Sequence, residues 1–249
     1  MRFTPFLIGP LAPPVGPSFT LTIASSVYAP NIRALAIAAG WDEEELLVVN
    51  ITAPIVGALN LGSTPFPGGV TLNIGASSTI LGRRGAAGRT GAYHGTAGGP
   101  ALTTRVFVTV NNAGEIAGGG GGGGMGATVG IQVEERSRSV VGGNGGAGAG
   151  LELGGTTQMS AQSGVDSGPR QWSYSSITFA SGWAEGGDGG DGGGLGEAGA
   201  QGTGGSFGGD VSSYSRSEWG FGAAAGAAVD GNSYVTWQSA GTRRGALIN

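Results

Sequence analysis

The sequence has no cysteine and no lysine among its 249 residues, and only 11% of them are charged. Without cysteine there can be no disulfide framework and no thiol chemistry. Because all twelve basic residues are arginine, a P-loop lysine and a Schiff-base lysine are also excluded. The net charge of −4 argues against nucleic acid as a partner. No run of about 18 apolar residues occurs, which argues against insertion into a membrane.

Glycine, by contrast, accounts for 56 residues, concentrated in tracts that include 118–124, 142–150, 186–194 and 196–205. An ordered glycine costs about 0.5–1 kcal/mol relative to alanine, so an ordered tract implies that backbones approach one another closely. Glycine recurs at every third residue from Gly186 to Gly192. This period suits an extended, left-handed helix of three residues per turn without internal hydrogen bonds. Its amides and carbonyls would pair with neighbouring glycine helices, since buried backbone groups need partners.

Composition divides the chain into three expected parts. Residues 1–18 contain five prolines and predict an extended, apolar arm that lies against a partner or a neighbouring subunit. Residues 19–80 have ordinary composition and predict a small mixed α/β module. Residues 81–249 predict a glycine-rich domain with intervening loops and short strands. The expected fold class is therefore mostly irregular and β, with a packed glycine bundle.

Local patterns predict individual elements within residues 19–80. Residues 19–23 alternate and indicate a strand, and further strands are expected at 46–56 and 70–74. Residues 31–39 are rich in alanine and leucine, which favour a helix. Gly40 is placed to end that helix, with Trp41 as the hydrophobic contact just beyond it.

A degenerate repeat links distant parts of the chain. Residues 108–118, VTVNNAGEIAG, align without a gap to residues 235–245, VTWQSAGTRRG. Residues 177–182 form a shorter copy and residues 70–75 a looser one. Each copy predicts an apolar-Thr-apolar strand that reaches a glycine turn and puts its first and third residues on one face.

Four of these segments carry a resemblance to a known family. They are residues 31–41 (NIRALAIAAGW), 69–74 (GVTLNI), 108–119 (VTVNNAGEIAGG) and 231–246 (GNSYVTWQSAGTRRGA). Together with the glycine tracts they resemble glycine-rich phage tail-tip and tail-fibre proteins, similar to the adhesins that cap the long tail fibres of T-even-like phages. The resemblance covers about residues 25–249. The segments between the tracts differ from that family in being long and rich in serine.

The resemblance implies a polyglycine-II sandwich whose distal loops bind a host surface receptor, either a polysaccharide or an outer-membrane protein. It also implies a location in the distal tail of the virion, contacts with other phage tail proteins through an attachment module at residues 19–80, and no enzymatic activity. The protein would assemble either as a homotrimer or as a single chain. Two alternatives remain. One is a purely structural tail-tip or fibre component that acts as a rigid spacer. The other is a secreted glycine-rich matrix protein, which would have a cleaved N-terminus.

Aromatic side chains between the tracts are the candidate binding residues. Flat rings with a polar edge suit sugars and apolar receptor loops, and tyrosine and tryptophan lose little entropy on binding. The candidates are Tyr93, Trp172, Tyr174, Phe207, Tyr214 and Trp219. The opposing interpretation is that such rings plug the ends of the glycine bundle. Trp183 and Trp237, which adjoin the strand repeats, favour packing.

No residue pattern predicts catalysis, a cofactor or a metal. His94 is the one histidine and has no serine–aspartate setting around it. Asp188 and Asp191 match the first positions of a calcium-binding nonapeptide repeat, but the motif occurs once and lacks the apolar eighth position. We expect solvated carboxylates on a glycine scaffold.

Overall fold

The computed structural model describes residues 16–133, 136–173 and 181–249. Most of the predicted arm, residues 1–15, and most of the short repeat copy, residues 177–180, therefore lie outside the described residues. Ten strands precede the longest glycine tract: β1 (Ser18–Ile23), β2 (Val27–Tyr28), β3 (Leu46–Ile51), β4 (Ile55–Gly57), β5 (Leu59–Asn60), β6 (Val70–Ile74), β7 (Thr79–Leu81), β8 (Leu102–Thr103), β9 (Val108–Asn112) and β10 (Glu115–Ala117).

Eight strands lie among the glycine segments, and four follow them. The first group is β11 (Val129–Val133), β12 (Arg136–Val140), β13 (Gly150–Leu151), β14 (Gln158–Met159), β15 (Pro169–Ser173), β16 (Ser181–Glu185), β17 (Ser206–Gly209) and β18 (Ser213–Arg216). The second is β19 (Val229–Asp230), β20 (Val235–Ser239), β21 (Thr242–Arg244) and β22 (Leu247–Ile248). The expectation of a mostly β and irregular protein is confirmed.

Strands from both ends of the described chain pair in three parallel sheets, which together form a β-solenoid. Their strand orders are β1-β3-β6-β9-β20, β2-β4-β7-β10-β21 and β5-β8-β19-β22. All pairings in these sheets are parallel. The chain visits the sheets in rotation, so each coil adds one strand on top of its predecessor. Residues 19–80 thus share their sheets with strands between residues 102 and 248.

Ladders of apolar side chains fill the solenoid. In the first sheet, Leu21, Val49, Leu72, Val110 and Trp237 occupy equivalent positions of successive strands. Val49, Leu72 and Val110 are fully buried, and the other two pack against the same core. The alternation of buried and partly exposed residues along β3 and β6 is the expected period of two.

The predicted helix and its end are confirmed. α1 spans Ile32–Ala38, and the side chain of Asn31 caps it by accepting the amide of Ala34 at 3.0 Å. Gly40 takes the left-handed conformation with φ of 103°, and Trp41 is buried and donates its amide to Ala36. The single strand expected over 46–56 is wrong, because the chain turns at residues 52–54 between β3 and β4.

The sequence repeat places matching residues in neighbouring strands. Val108, Thr109 and Val110 pair with Val235, Thr236 and Trp237 across β9 and β20. This is the same alignment that the sequences give. The following pieces, β10 and β21, pair in the second sheet. Each of these two copies of the repeat therefore contributes one strand to the first sheet and the next strand to the second sheet of the same coil.

The glycine segments are insertions in two coils. Residues 82–101 leave the solenoid after β7 and return at β8, and residues 118–228 leave after β10 and return at β19. In both cases the chain departs from the second sheet and re-enters at the third. The inserted segments therefore start and end at one corner of the solenoid.

A central tract, residues 118–127, organises the inserted segments. All ten of its amides donate to carbonyls of other segments. The partners alternate with a period of three: Gly119 and Gly122 donate to segment 93–101, Gly120 and Gly123 to segment 142–149, and Gly121 and Gly124 to segment 196–205. Because a buried amide without a partner costs about 1–3 kcal/mol, this pairing is a requirement for burying the tract.

Six segments form a closed ring around the central tract. Three accept hydrogen bonds from its amides, and the other three donate hydrogen bonds to its carbonyls. Adjacent members of the ring are also hydrogen-bonded to each other, in the order 82–89, 93–101, 217–228, 196–205, 186–194 and 142–149. Segment 160–168 lies outside the ring and bonds to 142–149 and 186–194. We call these eight segments the glycine bundle.

The ring closes because the glycines of the central tract carry no side chains; Met125 and Ala127 are the two residues of the tract that have one. A Cβ atom on Gly120 would overlap the carbonyl oxygen of Gly193, and one on Gly121 would overlap that of Ala223. Both obstacles are backbone atoms, which cannot rotate away as a side chain can. Gly155, in the turn between β13 and β14, differs in that its nearest atoms would lie 3.5 Å or more from an added Cβ.

Replacing Gly121 with alanine should therefore destabilise the protein by about 3 kcal/mol, through overpacking against backbone. Gly155→Ala should change stability by less than about 0.5 kcal/mol. Thermal and urea unfolding of the two variants check this. Equal stability of the two would contradict the ring geometry.

Candidate functional site

Four connections of the chain meet at the end of the glycine bundle farthest from the solenoid. Four segments run away from the solenoid, as the directions of the hydrogen-bonded neighbours relative to one another show. They are 82–89, 118–127, 160–168 and 196–205. The chain reverses after each of them, at residues 90–92, 128–141, 169–185 and 206–216. We call this end the distal end.

Two small antiparallel sheets cover the distal end, with strand orders β12-β11-β18 and β15-β16-β17. They enclose a second apolar core, made by Val129, Ile131, Val133, Val140 and Ala184. This core fixes the two sheets against each other. Side chains on their outer faces and edges therefore stand on a rigid support.

Phe207 and Tyr214 form one aromatic pair at the distal end. Their rings stack with centroids 4.3 Å apart. Phe207, in β17, packs on the second apolar core, while Tyr214, in β18, is 63% exposed. Phe207 therefore anchors the pair to the core, and Tyr214 exposes its ring to solvent.

A second aromatic group lies where segments 93–101 and 217–228 meet at the distal end. It contains Tyr93, which is 45% exposed, and Phe221, which is 59% exposed. Phe221 stacks on His94 with ring centroids 5.4 Å apart. Trp219 is half-buried, and the guanidinium of Arg216 lies 5.5 Å from its ring centre. Rings and a cation thus share one part of the surface.

The remaining aromatic candidates fall into two classes. Trp172 belongs to β15, but its side chain, like the whole of Tyr174, lies outside the described residues. Trp183 is half-buried, with its ring directly over Gly208. Trp237 packs against the solenoid core and donates its ring N–H to Asn232 at 3.1 Å. Trp183 and Trp237 are in packing positions.

A polar face of the first distal sheet was not singled out from the sequence. Ser137, Gln132 and Ser213 are aligned across the sheet, and so are Ser139, Gly130 and Ser215. A shallow cavity of about 340 Å³ lies over this face. The signal in the sequence was the alternation of serine with other residues at 137–139 and 213–215.

The carboxylates of Asp188 and Asp191 act as backbone acceptors. Asp188 accepts the amide of Ser167 at 3.2 Å, and Asp191 accepts that of Gly164 at 2.8 Å. They attach segment 160–168 to segment 186–194. Among the described residues, no group of histidine, cysteine or carboxylate side chains is arranged to hold a metal ion, and no helix is long and apolar enough to cross a membrane.

His94 is also held by structural contacts. Its Nδ1 accepts the amide of Phe221 at 3.0 Å, and its ring stacks on the same residue.

The described residues thus form a parallel solenoid that carries a hydrogen-bonded glycine bundle with aromatic side chains at its distal end. Residues 18–248 match the family described as phage tail fibre adhesin Gp38. The chain belongs to this family, and it is therefore a virion component of the distal tail. This excludes a secreted matrix protein.

The structure is similar to a solved structure described as the gp37-gp38 adhesin tip complex of the bacteriophage S16 long tail fiber. The TM-score is 0.50 at 19% sequence identity, over 92% of this chain and 81% of that one. At this identity the similarity concerns the fold. No curated protein sequence matches the chain.

Tyr214→Ala should lower the free energy of unfolding by about 1 kcal/mol, because the stacked pair with Phe207 is lost. Tyr214→Phe retains both rings and should stay within about 0.5 kcal/mol of the original protein. Urea unfolding measures the difference. Equal losses in the two variants would mean that the tyrosine hydroxyl, and not the stack, stabilises this edge.

Proposed function

We propose that the distal end of this tail fibre adhesin binds a receptor on the host cell surface, without catalysis. The observation that carries the proposal is the set of exposed rings, Tyr93, Tyr214 and Phe221, on a support fixed by two sheets and a closed glycine ring. Loops on a rigid scaffold are the usual place for binding. Trp172 and Tyr174 belong to the same proposed surface by their position in the chain.

The opposite end of the molecule is the proposed attachment end. The solenoid, which contains residues 19–80, would contact other phage tail proteins, with the arm of residues 1–18 lying against a partner. The S16 structure is described as a complex of two tail fibre proteins, which supports another tail protein as a partner. A homotrimer stays a prediction.

The glycine segments are, in this proposal, polyglycine-II helices packed as a sandwich. Support comes from the period of three in the partners of the central tract. A helix of three residues per turn points successive amides in three directions and successive carbonyls in three more. Six neighbours satisfy all of them, which is the number in the ring.

Hydrogen exchange tests this packing. Amides of residues 118–127 should exchange as slowly as those of β3 and β6, although the tract is neither α-helix nor strand. Peptide-level exchange measured by mass spectrometry gives the comparison. Rapid exchange throughout the tract would contradict the sandwich packing. Slow exchange limited to Met125 and Ala127 would mean that only this end of the tract is packed in that way.

The receptor is proposed to be a surface polysaccharide or an outer-membrane protein. The distal end offers rings, which stack on sugar faces or enter apolar pockets, next to hydroxyl and amide groups. Oxidation of cell-surface glycans with periodate and digestion of surface proteins with a protease distinguish the two. Binding that survives one treatment and not the other assigns the receptor.

The alternative is that the protein is a rigid spacer and that another tail protein binds the receptor. The closed hydrogen-bonded ring favours rigidity and is compatible with this role. Deletion of residues 206–221 would not separate the two functions, because it removes β17, β18 and the bundle contact of Gly220. Substitution of exposed side chains is the better test.

The experiment measures binding of the purified protein to intact host cells. A distal variant carries Tyr93→Ala, Tyr214→Ala and Trp219→Ala, and the matched control carries Phe107→Ala, which removes a 77% exposed ring from the solenoid. We expect at least tenfold weaker binding for the distal variant, in the range of interface hot spots of about 2 kcal/mol. The control should bind normally.

Circular dichroism and thermal unfolding must show that both variants are folded. Failure of the original protein to bind cells would favour the spacer. An equal loss of binding in the distal variant and the control would place the receptor site elsewhere on the molecule.

A further inference from the structure

A basic groove runs along the side of the glycine bundle, on segment 82–89. It has a volume of about 580 Å³ and a floor of small residues, including Ala86, Ala87 and Ala147. Arg83, Arg84, Arg89 and His94 line it, with Glu152 as its one acidic residue. The groove therefore concentrates three of the twelve arginines of a chain whose net charge is −4.

The period of three explains why these arginines face outward. Gly82, Gly85 and Gly88 are buried toward the central tract. The residues that follow them, Arg83, Ala86 and Arg89, are all exposed. They form one outward row in which an alanine separates two arginines.

Most of the positive charge in the groove is not neutralised. Arg84 forms an ion pair with Glu152, and its Nη1 is buried without a hydrogen-bond partner among the described residues. Arg83 and Arg89 form no ion pair within the part of the chain that the structure describes. Exposed guanidinium groups of this kind are strong donors to carboxylate and phosphate oxygens.

His94 adds a directed donor at the distal end of the groove. Because its Nδ1 accepts the amide of Phe221, the neutral ring carries its hydrogen on Nε2. This hydrogen bond and the stack on Phe221 fix the direction of the ring. The donor therefore needs no rearrangement before it binds a ligand.

We infer that this groove binds an extended, anionic glycan, whose carboxylate or phosphate groups pair with Arg83 and Arg89. Six residues separate the two arginines, which corresponds to about 19 Å at 3.1 Å per residue in a three-residue helix. A ligand that contacts both must be extended. The alanine floor between them accommodates the sugar rings that lie between the two acidic groups.

The spacing of the cations favours a glycan over nucleic acid. A nucleic acid strand carries a phosphate about every 3.4 Å, so two guanidinium groups about 19 Å apart would leave most of its charge unpaired. A glycan whose acid groups lie on separated sugars matches the spacing of Arg83 and Arg89. The inference rests on the proposed function, because a protein that binds the host cell surface comes into contact with cell-surface polysaccharides.

Binding of defined probes to the full chain tests the inference. The probes are hyaluronate oligosaccharides, which carry a carboxylate on every second sugar, phosphomannan, whose phosphates are separated by sugars, neutral dextran and single-stranded DNA. Calorimetry should detect the first or the second, with an affinity that falls as salt screens the charges, and no binding of dextran. Which of the two acids binds more tightly identifies the chemistry of the ligand.

Two variants separate charge from shape. Arg83→Gln with Arg89→Gln should weaken binding of the acidic probe about tenfold or more, since hydrogen bonds to charged groups are lost. Ala86→Trp retains every charge but fills the floor, and it should weaken binding as much. The control, Arg243→Gln with Arg244→Gln, makes the same change of net charge on β21 of the solenoid and should leave the affinity unchanged.

Several results would overturn the inference. They are a failure to bind either acidic probe, equal binding of dextran, equal losses in the groove variant and the control, or tighter binding of the DNA than of the acidic glycan. Unfolding temperatures of all variants establish that they are folded. The assay is also independent of cell adsorption: a protein that binds cells but no polyanion lacks the groove site and keeps its proposed adhesin role.

Discussion

The hydrogen bonds of the central tract are the constraint on which the rest of the structure depends. The tract makes no hydrogen bonds within itself, so its amides and carbonyls must find partners in other segments. For residues 118–127 those partners come from six surrounding segments of the same chain. Each of the six must approach until only hydrogen separates the backbones, which is why so many residues are glycine.

The solenoid makes this arrangement possible by fixing where the segments begin. β7 and β10 are neighbours in one sheet, and β8 and β19 are neighbours in another. The segments that follow or precede these strands are thereby placed side by side before they form their own hydrogen bonds. The amide of Gly118 donates to Arg244 at the end of β21, which ties the start of the central tract directly to the last coil.

The need for close backbone contact also determines where side chains are available for binding. The glycine positions between the central tract and its ring are closed to anything larger than hydrogen. Larger side chains lie mainly in the outward rows and at the distal end. The outward row of segment 82–89 carries Arg83 and Arg89, and the distal end carries Tyr93, Phe207, Tyr214 and Trp219. An interior built mostly of glycine backbone thus supports a chemically diverse surface.

The sequence by itself determined the local features that depend on neighbouring residues: the helix with Asn31 and Gly40 at its ends, the alternation of β6, the repeat of β9 and β20, and the glycine segments with their period of three. It also carried the family resemblance. It did not show that the repeats stack as parallel coils, nor that 46–56 is two strands. Pairing in a parallel sheet joins residues far apart in the chain, and no local pattern records it. Tertiary structure alone brought Tyr214 onto Phe207, Phe221 onto His94, and Arg83, Arg89 and His94 into one groove, because those contacts arise when separate glycine segments pack around a common centre.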